Sequence, residues 1–129
     1  MKIFFDTNVV VSAIITRGFS FDVIKDSIYK HEVFYTAYLL KEVQKVLSTK
    51  FPVSDKTIKN AVSLLKKYFI EGKTSPTIDK ICRDPDDNQI LADAVANEIE
   101  ILITADKDLL VFKKYKGITI ILPKDYWKL

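Results

Sequence analysis

Four carboxylates, Asp6, Glu42, Asp87 and Asp106, fall where apolar segments begin or end. Asp6 stops the apolar run Lys2–Phe5, and Asp106 lies two residues beyond the run Ile99–Thr104. Asp87 precedes Ile90, Leu91 and Ala94 by three, four and seven residues, which sets it on the buried face of a helix's first turn. Glu42 borders the stripe of Leu39, Val43 and Val46. Carboxylates gathered at one edge of a fold raise one another's pKa unless a cation neutralises them, so their convergence implies a bound divalent metal. Oxygen donors without paired His or Cys favour Mg2+ or Mn2+, as one or two ions. Taken singly, each has a plainer explanation. Asp6, Asp87 and Asp106 could be helix caps, and Glu42 a surface partner of Lys41 or Lys45. The coincidence of all four is what points to a metal. Asp84, Asp86 and Asp108 read as caps or supporting residues, while Asp93 lies off the buried face and reads as solvated.

The elements that must position these residues follow from the apolar periodicity. Strands are expected at Lys2–Phe5, Val33–Thr36, Ile99–Thr104 and Ile118–Leu122, with a short fifth near Ile78. Helices are expected over Asn8–Ile15, through Phe21, Ile24 and Ile28, over Tyr38–Phe51, from Ser54 to Phe69, over Asp87–Asn97 and over Lys107–Phe112. Trp127 reads as the anchor of the tail. Strand–helix alternation of this kind implies an α/β fold, three layers deep, with a parallel sheet of about five strands. Ligands of such sheets bind beyond the carboxyl ends of the strands, the edge at which Asp6 and Asp106 project.

Composition narrows the class. The 129 residues, 48% hydrophobic and 29% charged, suit one folded domain over 1–129 and exclude a disordered tail or a repeat. A single cysteine, Cys82, excludes a disulfide framework and a cysteine-based zinc site. Asp6 cuts the first apolar run too short for a signal peptide or a spanning helix, so a cytoplasmic location is expected.

In order and spacing, four segments resemble the PIN-domain family, specifically its small toxin-type, VapC-like ribonucleases of prokaryotes. They are the opening strand into Asp6-Thr7-Asn8-Val9, the helical Glu42, Arg83-Asp84-Pro85-Asp86-Asp87-Asn88 leading into Ile90-Leu91-Ala92, and Ile103-Thr104-Ala105-Asp106-Lys107-Asp108-Leu109. The resemblance spans essentially the whole chain. It assigns Asp6, Glu42, Asp87 and Asp106 to the family's acidic metal-binding and catalytic quartet, with Asn8 and Thr104 supporting it. Asp86 and Asp108 stand beside the quartet, and the helical face favours Asp87 over Asp86 as the ligand. It further implies a Mg2+- or Mn2+-dependent endoribonuclease, an antitoxin protein as partner, and a homodimer. The alternative is a non-catalytic PIN-fold module that binds RNA or serves as a scaffold.

Substrate binding would fall to basic residues, with Lys113, Lys114, Lys116 and Arg83 the candidates, and Tyr38, Tyr68 and Tyr115 available for base stacking. The formal net charge is only +3, from 20 basic and 17 acidic residues. Setting the quartet aside leaves 13 acidic residues against those 20, a surface suited to a polyanion.

Overall fold

Ile3, Phe4 and Phe5 are completely buried, because the strand they form, β1 (Lys2–Phe5), is flanked on both sides. The computed structural model describes all 129 residues. β1 runs into α1 (Thr7–Thr16), and α2 (Phe19–Lys30) packs against α1. β2 (Glu32–Tyr35), α3 (Ala37–Lys50), α4 (Asp55–Tyr68) and the two-residue β3 (Ile70–Glu71) complete the first half. The second half contains α5 (Pro85–Ala96), β4 (Ile101–Ile103), α6 (Lys107–Leu110), β5 (Lys114–Tyr115) and β6 (Ile118–Ile121), then a short 3-10 helix (Pro123–Lys128). Strand order is β3-β2-β1-β4-β6-β5, parallel throughout except for the β5–β6 pair. Helices cover the sheet on both faces, giving the three-layer α/β/α fold expected.

The sheet has six strands rather than five. No strand forms near Ile78, which is an exposed loop residue; the third strand is Ile70–Glu71, pairing with β2 at Phe34–Ile70 and Tyr35–Glu71. The extra β5 returns onto β6 through Lys116-Gly117, both at positive φ (46° and 84°), the conformation of a type I′ hairpin turn. The tail is anchored by Tyr126, not Trp127: Tyr126 is buried and its hydroxyl donates to Asp26 Oδ2 at 2.5 Å, whereas Trp127 is half exposed.

The strand order reverses direction between β1 and β4. From β1 the chain winds outward through β2 and β3, and it then crosses back to start β4 on the other side. A crevice opens at such a switch point, beyond the carboxyl ends of the two strands. Asp6 and Thr104 are the residues that immediately follow β1 and β4.

Candidate metal centre

Asp6 is held by both strands of the switch point. Its backbone N–H donates to Ile103 O at 2.9 Å, and its side chain caps α1 by accepting from Thr7 N at 2.8 Å. The other carboxylate oxygen, Oδ2, accepts from the Thr104 hydroxyl at 2.7 Å. That hydroxyl also accepts from Asp106 N at 3.0 Å, so one buried Thr fixes Asp6 and the turn that carries Asp106 together. Asp106 in turn caps α6, accepting from Asp108 N at 2.9 Å.

Across the crevice, Asp84 caps α5 with Pro85 in its first turn, the usual chemistry of a helix start. The turn delivers Asp87 inward, 5% exposed, while Asp86 stays exposed and accepts from the Tyr38 hydroxyl. Carboxylate oxygens of Asp87, Asp106 and Asp108 lie within 4.8 Å of one another. Asp87 Oδ2 is buried without a hydrogen-bond partner, and a buried carboxylate oxygen in that state needs a cation or a proton. Burial pushes the Asp87 carboxyl up, and the facing Asp106, then Asp6 and Asp84, push it further. Asp6 is raised too, chiefly by burial, against the lowering effect of the Thr104 and Thr7 hydrogen bonds. An oxygen-only set with one orphaned anionic atom fits a hard divalent cation.

Not every sequence candidate joins this group. Glu42 is half-buried one helical turn after Tyr38, and its charge acts on the Tyr38 hydroxyl together with those of Asp86 and Asp84; it borders the acidic edge but lies outside the closely spaced trio. Asp108, expected only as a supporting residue, is in the trio. The signal available for it was Asp106-x-Asp108 at a helix start, where the cap turns two carboxylates the same way. Asn8 is exposed and its side chain makes no hydrogen bond to Asp6, because the cap position gives that oxygen to the backbone of Thr7. Asp93, read as solvated, is fully buried.

The basic candidates also separate. Arg83 Nη2 donates to Asp108 Oδ1 at 2.7 Å. Lys116 is committed to Asp79 at 2.7 Å, and Lys113 and Lys114 are exposed and unpaired. Of the three tyrosines, Tyr38 borders the carboxylates, Tyr115 packs on Phe112, and Tyr68 lines an apolar groove between α1, α2 and α4.

The Thr104 bridge yields a direct test. Thr104→Val keeps the shape but removes the donor to Asp6, and it should weaken Mn2+ binding about ten- to a hundredfold. Metal titration followed by thermal unfolding measures it, and unchanged affinity would show that the hydroxyl does not orient the site.

A family model described as "PIN domain" matches residues 2–108. None of the curated proteins is significantly similar to the chain. Among solved structures, one similar chain comes from the crystal structure of VapBC2 from Rickettsia felis bound to a DNA fragment from their promoter. It superposes with a TM-score of 0.70 at 14% identity, over 95% of this chain and 98% of that one.

Proposed function

The chain belongs to the PIN-domain family, and from that premise we propose that it is a divalent-metal-dependent endoribonuclease, the toxin of a toxin–antitoxin pair. The observation that carries the reading is Asp87, whose buried Oδ2 has no partner and whose carboxylate lies within 4.8 Å of those of Asp106 and Asp108. Mg2+ or Mn2+, one ion or two, would be held by Asp87, Asp106, Asp108 and Asp6, and would acidify water and neutralise charge on a phosphodiester. The remaining work belongs to the protein. Thr104 keeps Asp6 from rotating out of the crevice, and Glu42, at the border of the pocket, would ligate or orient the attacking water. Low exposure of Asp6 and Asp87 keeps bulk solvent from screening these charges. Lys113 and Lys114 supply free positive charge for the RNA backbone.

The toxin assignment rests on the resemblance and on the fold shared with VapBC2. It gains support from the groove between α1, α2 and α4, a cavity of about 610 Å³ lined by Ile14, Phe21, Ile24, Leu64 and Tyr68. Arg17 and Lys25 border it, so an amphipathic, acidic segment of an antitoxin is the complementary ligand. A homodimer in the cytoplasm completes the reading, and its solution mass would be twice that of the chain.

Incubation with single-stranded RNA decides the catalytic part. Cleavage should appear with Mn2+, stop on chelation and return when Mn2+ is restored. Absence of both cleavage and a Mn2+-linked rise in thermal stability would leave the non-catalytic module instead.

A further inference from the structure

Arg83 is the one basic residue that bonds to the ligand-spaced trio. Its backbone is pinned: Asn88 Oδ1 accepts from Ile81 N at 3.2 Å and Cys82 N at 2.8 Å, Asn88 Nδ2 donates to Cys82 O at 3.3 Å, and Asp84 caps the helix on the other side. Arg83 therefore leaves a fixed point beside Asp87, yet its side chain is 86% exposed. Only Nη2 is engaged, so most of the guanidinium donors face solvent.

We propose that Arg83 grips the phosphate to be cleaved, exchanging Asp108 for the substrate when a cation takes the Asp108 oxygens. The exchange is easy, because an exposed ion pair of this kind contributes little. A guanidinium fork matches two phosphate oxygens at once, which an ammonium does not. The fixed backbone beside Arg83 and its bond to Asp108 keep the fork next to the trio, whereas Lys116 is tied to Asp79. The role deepens the ribonuclease reading and rests on it.

Two variants and three measurements test it. Binding of a labelled single-stranded RNA oligonucleotide, followed by fluorescence anisotropy with Ca2+ in place of Mn2+, should weaken about tenfold in Arg83→Met. The slope of log affinity against log salt should fall by about one in that variant and return in Arg83→Lys. Mn2+-supported kcat/KM should fall in both, since Lys restores the charge but not the fork. The Mn2+-induced thermal shift should be at least parental in Arg83→Met. Parental RNA affinity and salt slope in Arg83→Met, with the parent cleaving RNA, would overturn the role of Arg83 and leave the ribonuclease reading standing. A parent that shows no Mn2+-dependent cleavage would overturn that reading, and the inference with it.

Discussion

Asp87→Asn should lower Mn2+-supported RNA cleavage by at least about a hundredfold and, in the same protein without metal, raise stability. The two effects share one cause. Asp87 is 5% exposed, its Oδ2 has no partner, and Asp106, Asp6 and Asp84 all push its carboxyl upward after burial does. A carboxyl whose folded pKa lies above its unfolded value binds protons more tightly when folded. Its contribution to stability is therefore largest in acid and declines as pH rises above the ordinary carboxylate range. The amide of Asn does not ionise, so that decline should shrink in the variant. The gain should reach about 1–3 kcal/mol at pH 8, the scale of a buried polar group without a partner, and vanish below about pH 4. Metal reverses the order. At a hundred times its Kd, Mn2+ adds about 2.7 kcal/mol to the parent, and the variant lacks that increment. Thermal unfolding at pH 5 and pH 8, with chelator and with Mn2+, separates these terms. A variant no more stable than the parent at pH 8 without metal would mean that Asp87 is not held under electrostatic strain.

The parts of this site legible in the sequence are those governed by local rules. An apolar run that halts at Asp6 is a buried strand entering a cap, and Ser54, Asp84 and Asp106 are caps for the same reason: short oxygen-bearing side chains before a helical stripe. Spacing of three, four and seven placed Asp87, and not Asp86, on the inward face. What escaped depends on partners far along the chain or on a turn of unusual residues. Both residues of β3 are exposed, so no alternation marks it, and only pairing with β2 makes it a strand. β5 depends on a Lys at positive φ, a position at which turn signals favour Asn, Asp or Gly. Helical spacing set Asp93 off the apolar stripe, and its burial depends on residues 18 and 57 positions away.

Those distant partners make Asp93 the site of the largest expected loss of stability. Asp93 Oδ2 accepts from the Thr36 hydroxyl at 2.8 Å, and Oδ1 accepts from Ser75 N and Gln89 Nε2, each at 2.7 Å. Thr36 at the same time caps α3, accepting from Leu39 N at 3.2 Å. One carboxylate with no cation beside it thus joins α3, which carries Tyr38 and Glu42, to α5, which carries Asp87, and to the segment that leads to Arg83. Asp93→Ala would remove the acceptor shared by three donors, two of them on buried residues, and open a cavity, at a cost of about 3–5 kcal/mol, a large share of the 5–15 kcal/mol typical of a domain. Asp93→Asn can keep Oδ1 for Ser75 and Gln89 and present its amide to the Thr36 oxygen, so about 1 kcal/mol should be lost instead. Urea unfolding midpoints at constant m measure both. A loss below about 1 kcal/mol in Asp93→Ala would mean that water replaces the carboxylate, and the two walls of the acidic pocket would then be joined by packing of α3 and α5 on the sheet and not by this anion.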